Sequence, residues 1–229
     1  MNVRVAAGTF LIVAPLWFNA TFALLGKRFD YPNILRRPAA EILDRFHAGG
    51  STLVLLFWMF MLSGLLLIPV VVLFGQALGF TGIIPLAVVM GVLAGLVQML
   101  GLLRWAYLVP LLARLNSDLA REGEQRESTL VVFRAMHQYL GVGVGEHLGY
   151  LFTGIWSVLT GVAVAAGTVL VPAWMGWVGI LVGVGLIVGS AEFLGRHEDD
   201  GWALAGAAIP ILYVGWSLWL LGMGIALIL

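Results

Sequence analysis

Cysteine is absent from this 229-residue chain, and charge is scarce: only 10% of the residues are Asp, Glu, Lys or Arg, with 12 basic side chains against 12 acidic ones. Without cysteine there is no disulfide framework, thiolate nucleophile or cysteine-ligated cluster. The sole lysine, Lys27, lies between apolar runs, so no span offers the amine that a retinal Schiff base needs. Phosphate-binding loops, nucleophile elbows and basic nucleic-acid patches are also missing. What remains is 61% hydrophobic, with a mean hydropathy of +1.02, outside the range of soluble domains.

Crossing a hydrocarbon layer of about 30 Å takes roughly 20 apolar residues. Six runs meet that length, near 6–25, 51–74, 83–113, 131–162, 173–194 and 202–229. They are continuous rather than alternating, so they are helices and not barrel strands. The expected fold is an all-α integral membrane protein: one transmembrane domain, 1–229, forming a bundle of six helices.

The near-zero net charge hides an asymmetry between connections. Lys27, Arg28, Arg36, Arg37 and Arg45 precede the second run, Arg114, Arg121 and Arg126 lie between the third and fourth, and Arg196 lies between the fifth and sixth. The other two connections, 75–82 and 163–172, carry no charge. By the positive-inside rule the charged connections are cytoplasmic and both termini outside, with Arg4 the one exception. Residues 6–25 lack a convincing small-residue cleavage site and read as a retained first span. The 38–48 segment reads as a short helix opening at Pro38, with Glu41 paired to Arg45 and Ile42, Leu43 and Phe46 on one face. That face is expected on the headgroups, with Gly49-Gly50 ending the helix. Residues 116–128 read as a solvated mixed-charge turn.

Polar groups inside the spans narrow the search for a site. A charged side chain at the bilayer centre costs about 2.5 to 3.5 kcal/mol on insertion scales, so Glu146-His147 should face protein or water. Treating the third and fourth spans as a hairpin centred near Glu122 puts Gln98 level with Glu146, and Arg104 level with Leu140. An α-helical 100° per residue sets Tyr139, Glu146, Tyr150 and Thr153 on one edge. The candidate ligand or proton site is therefore Glu146, His147, Gln98, Tyr150 and Tyr139. A second, shallower layer holds Arg104, His137, Gln138 and Glu192, with Glu192 balancing Arg104. Arg104-Trp105 also fits an interfacial anchor, the arginine reaching phosphates beside an indole at the headgroups.

Gly141, Gly145 and Gly149 form a stripe that admits a close neighbouring helix, and Gly91/Gly95 and Gly179/Gly183 repeat the spacing. The other tryptophans fit belts and packing, and Pro110 and Pro210 mark kinks or helix ends. A metal site from His47, His137 and His197, with Asp44, Glu192, Glu198, Asp199 or Asp200, is conceivable, but the spacing matches no metal motif. Haem would need a second deep histidine beside His147. The sequence therefore assigns no metal, and any cofactor stays unknown.

The blocks YPNILRRPAAEILDRFHAGG (31–50), LGLLRWAYLVPLLARL (100–115) and VVFRAMHQYLGVGVGEHLGYLFTGIW (131–156) resemble a bacterial membrane-protein family filed as domain of unknown function 4386. The resemblance covers most of the first 160 residues, and its most specific part is GEHLG. It implies a multi-pass inner-membrane protein in which Arg104, His137, Gln138, Glu146 and His147 recur, and it implies no activity.

From the residues, the leading reading is binding of a small or amphipathic ligand at a buried Glu/His site, with proton-linked transport as its use. A membrane-embedded, metal-dependent lipid-modifying enzyme and an accessory subunit of a larger membrane complex stay open. The expected partners are the lipid bilayer and a homo-oligomer or larger complex, with no nucleic acid. The orientation has a direct check. Cysteines placed at Asn33 and Gln125 should resist an impermeant thiol reagent in intact cells and react after lysis; labelling of either from outside reverses the topology.

Overall fold

The computed structural model describes residues 2–118, 123–167, 170–198 and 200–229, so Arg121, Glu122 and Asp199 lie outside the described residues. Five helices are long and apolar enough to cross a membrane, and a sixth is shorter. Helix α1 runs Val3–Phe29, α2 Ala39–Ala77 and α3 Ile84–Asp118. The fourth span is composite: α4 (Gly123–Met136), a π-helix (His137–Leu148) and α5 (Gly149–Ala165). Helix α6 covers Ala173–Gly189 and α7 Ala203–Ile228.

Local chemistry sets several boundaries. The Asn2 side chain accepts from Arg4 N at 3.0 Å and caps α1. Lys27 and Arg28 in the last turn of α1 complement its negative end. Pro38 precedes α2, and the i,i+4 pair Glu41/Arg45 closes at 3.0 Å. At Gly50, φ 53° and ψ −146° interrupt the helix, a conformation open to glycine and poorly tolerated by other residues. The face of Ile42, Leu43 and Phe46 does not lie on headgroups: all three are buried among Phe29, Phe57 and Trp105. Protein offers the same relief from water as lipid, together with close packing.

Helix α6 ends at Gly189, so Glu192 sits in the following turn rather than inside the fifth span. Pro110 and Pro210 lie within α3 and α7 and end neither helix. The two termini share one end of the bundle, because Gly8 in α1 packs against Gly224 and Ile228 in α7. Asn19 Nδ2 also donates to Ser217 Oγ at 3.0 Å across these helices. At the other end the charged connections meet, since Arg36 and Glu192 both approach Gly206.

The interior has two apolar cores. One gathers Leu67, Phe74, Trp156, Trp216 and Trp219. The other gathers Phe29, Phe46, Phe57, Trp105 and Phe133 near the charged connections. Between them each central helix carries small or polar residues: Gly64 on α2, Gln98, Gly101 and Arg104 on α3, and Gly145 and Glu146 on the fourth span. Backbones touch at this waist. A Cβ on Gly101 would stand 2.5 Å from Gly145 Cα. The fourth span meets α6 in the same manner farther along, where a Cβ on Gly154 would lie 2.6 Å from the Gly183 carbonyl.

Those contacts separate two glycines of similar setting. Gly154→Leu forces α6 away and should cost about 1 to 3 kcal/mol or more. Gly215→Leu meets nothing nearer than Val182, 3.8 Å from its Cβ, and should be close to neutral. Thermal unfolding in detergent should rank Gly154→Leu well below both Gly215→Leu and the native chain; equal midpoints would remove the backbone contact as the cause.

Candidate functional site

The π-helix carries His137, Gln138, Tyr139, Glu146 and His147 of the fourth span. Such a helix bonds i to i+5 and takes roughly one more residue per turn than an α-helix, and π-turns concentrate at functional sites. Glu146, His147, Gln138 and Tyr150 from this span line a cleft of about 110 Å³, closed on its far side by Ser190, Glu192 and Phe193 of the α6–α7 connection. Glu146 and His147 are half-buried.

His147 Nδ1 lies 2.7 Å from the Ser190 carbonyl. A carbonyl can only accept, so Nδ1 carries the proton and, in the neutral ring, Nε2 is left as a base. Glu192 is drawn two ways: partial burial pushes its carboxyl above the ordinary range, and Arg36 pulls it back. The cation balancing Glu192 is thus Arg36 and not Arg104, because α6 ends short of the turn that holds the carboxylate.

Arg104 lies behind the cleft, 6% exposed, as the buried cation of the waist. Its guanidinium bonds the Gly101 carbonyl and fills the space left by Gly141, where a Cβ would meet Nη2 at 2.5 Å. Its charge is felt by Glu146 and Tyr31. Trp105 is fully buried and stacked on Phe57, with centroids 4.5 Å apart and planes 9° apart. The pair is therefore no interfacial anchor: a missing side chain at Gly141 and an aromatic wall draw both residues inward. His137 stands beside them, 5.7 Å from Phe133 and 6.4 Å from Trp105, centroid to centroid. Arg104 Nε, Trp105 Nε1 and His137 Nδ1 are buried without a hydrogen-bond partner among the described residues.

Gln98 and Tyr139 do not line the cleft. Gln98 packs under Gly149 and donates to Thr153 Oγ1 at 3.0 Å, so it supports the site from α3, beyond the level of Glu146. The extra residue per π-turn advances the fourth span less for each residue, which moves the level of Gln98 toward Gly149. Tyr139 is 66% exposed and points away from Glu146, because the seven-residue step between them no longer closes two turns in a π-helix. The glycine stripe itself still faces α3, with Gly141 on Arg104, Gly145 on Gly101 and Gly149 on Gln98.

Four contributors escape sequence reasoning. Ser190 and Phe193 come from a connection whose path periodicity does not determine. Tyr31, in the α1–α2 connection, reaches the electrostatic field of Glu146 and Arg104, and Tyr213 on α7 packs edge-on to Tyr150, with ring centroids 5.4 Å apart. An isolated tyrosine within the apolar 202–229 run is the only signal that marks Tyr213. His47, His137 and His197 are not brought together, and among the described residues no group of three His, Asp or Glu side chains gathers as a metal site.

A family model described as a domain of unknown function (DUF4386) matches residues 6–224. The match runs through α7, so the resemblance of the first 160 residues extends to the last two spans. No curated protein and no solved structure matches the chain.

The His147 geometry sets a spectroscopic expectation. Nitrogen NMR of ¹⁵N-histidine protein should show His147 as the Nδ1–H tautomer in its neutral state, since Ser190 O is an acceptor 2.7 Å away. A neutral His147 protonated at Nε2 instead would contradict this arrangement.

Proposed function

The chain belongs to the DUF4386 family of multi-pass helical membrane proteins, and for it we propose a proton-linked site for a small polar ligand, centred on Glu146 and His147. The observation that carries this reading is the cleft itself, where a carboxylate and an imidazole of fixed tautomer share a wall on a π-helix. Its volume of about 110 Å³ supports a small ligand. Pockets for drug-sized molecules run from about 300 to 1,000 Å³. The cleft suits a few waters, an ion or a molecule of a few heavy atoms, and favours the small ligand over the amphipathic one.

Glu146 is the group that takes and releases the proton, in a setting where neither charge state is fully compensated. Ionised, it answers the charge of Arg104, with which it forms no close ion pair among the described residues. Protonated, it leaves Arg104 as the uncompensated ion of the waist. His147 offers Nε2 to a proton arriving through the cleft, while Ser190 O holds the other nitrogen. Gln138 and Glu192 line the same cleft on either side of the fourth span's contact with the α6–α7 turn. Under the positive-inside reading the cleft lies toward the cytoplasmic face of the bacterial inner membrane.

Infrared difference spectra of the purified protein between pH 5 and 9 test this role. The native protein should show a carboxyl C=O band that changes with pH, and Glu146→Gln should remove that band while keeping the thermal stability of the native chain. Identical spectra for the two proteins would leave Glu146 a structural group and favour the accessory-subunit reading.

A further inference from the structure

A second, larger cavity lies on the outer flank of the bundle, away from the Glu146 cleft. It is a groove of about 550 Å³ between α2 and α3, lined by residues of both helices around the Gly50 break. The break tips the first turns of α2 onto the bundle and leaves a wedge beneath them. Val54, Leu55, Trp58, Tyr107 and Pro110 form its apolar walls. His47, Ser51 and Arg114 stand at its mouth. Tyr107 is 69% exposed and Trp58 40%, so among the described residues these walls are open to lipid.

The mouth carries Arg114, and Asp118, one turn farther along α3, forms no ion pair with it among the described residues. No Asp or Glu lines the groove, and Arg114 and His47 make no hydrogen bond or ion pair among the described residues. The nearest carboxylate along α2, Asp44, is engaged by Asn116 Nδ2 at 2.7 Å. At this end Arg45 pairs with Glu41 and Arg126 with Asn116, while Arg28, Arg37 and Arg134, which make no ion pair among the described residues, do not line this groove. Tyr107 precedes Arg114 by seven residues and Trp58 follows Ser51 by seven, so at 1.5 Å per residue the walls run about 10 Å below the mouth on both helices. The mouth lies at the end of α3, the groove runs into the span below it, and the whole opens sideways to the bilayer.

From this geometry we propose that the α2–α3 groove is a binding site for one anionic phospholipid, its phosphate held by Arg114 and the His47 and Ser51 donors and its first acyl segment lying along Trp58 and Tyr107. A zwitterionic lipid would bring a second cation to a mouth that already holds an unpaired arginine. An anionic headgroup supplies the missing charge, and each cation near a membrane surface contributes on the order of 1 kcal/mol toward such lipids. One groove under one three-donor mouth sets the stoichiometry at one.

Native mass spectrometry of the detergent-purified protein, titrated with equimolar dioleoyl phosphatidylglycerol and dioleoyl phosphatidylcholine, tests the site. The native chain should retain one phosphatidylglycerol in preference, and Arg114→Gln combined with His47→Gln should reduce that preference by about fivefold or more. Arg37→Gln, which removes a cation at the same end but outside the groove, should leave it unchanged. Brominated phosphatidylglycerol should quench the native fluorescence more than that of Trp58→Phe, a readout that needs no charge variant to fold. Equal retention of the two lipids by the native chain, an Arg37→Gln loss as large as that of the double variant, or quenching indifferent to Trp58 would each overturn the assignment. None of these outcomes depends on Glu146, so the groove and the cleft stand or fall separately.

Discussion

The constraint on which the polar site depends is the backbone contact between α3 and the fourth span at Gly101 and Gly145. In lipid there is no water-driven gain from burying one apolar helix against another, so association rests on packing and on polar groups that find partners. Two facing glycines let the helices approach to the distance at which polar groups on both can be shared. Arg104 then reaches the space over Gly141, Gln98 reaches Thr153, and Glu146 is held within the field of the arginine. A side chain at either glycine would part the helices and dissolve this arrangement together.

The division into two cores follows from the same contact. Large aromatic side chains fill the space on either side of the waist, and the waist is too narrow to admit them. The cluster of Phe29, Phe46, Phe57 and Trp105 on the charged side explains why the start of α2 turns inward. A helix lying flat on headgroups would leave Trp105 and Phe57 without a cover.

Much of this was legible from composition and spacing. The spans, the charged connections at one end, the Glu41/Arg45 pair, the break at Gly49-Gly50 and the facing of Gly141, Gly145 and Gly149 all rest on rules that depend on neighbours in sequence. The gathering of Glu146, His147, Gln138, Tyr150 and Glu192 was legible in part, because polar residues inside a span have few places to go. Tyr139 and Gln98 were misplaced for one reason: an α-helical period was applied to residues that form a π-helix, and no residue in GVGVGEHL announces that change of pitch. Of the two readings of Arg104, the interfacial anchor with Trp105 fails, because an Arg-Trp pair near a span end has the same sequence whether it faces lipid or protein, while its place in an inner layer with His137 agrees with its burial. Ser190 and Phe193 depend on the path of a connection, which sequence periodicity does not encode.

The π-helix also has a consequence for how this chain can vary. A helix wound one residue slack per turn stores length, and α4 and α5 on either side keep independent phases because the slack between them takes up the difference. The fourth span is thus divided into two separately indexed halves, one registered against α3 near the charged end and the other against α6 by Gly154 and Gly183. Loss of a single residue between His137 and Leu148 would tighten the winding there and leave both halves seated. The same loss inside α5 would rotate every contact beyond it by a quarter turn or more. The stretch that bears the chemistry is for this reason also the joint at which the span tolerates a change of length.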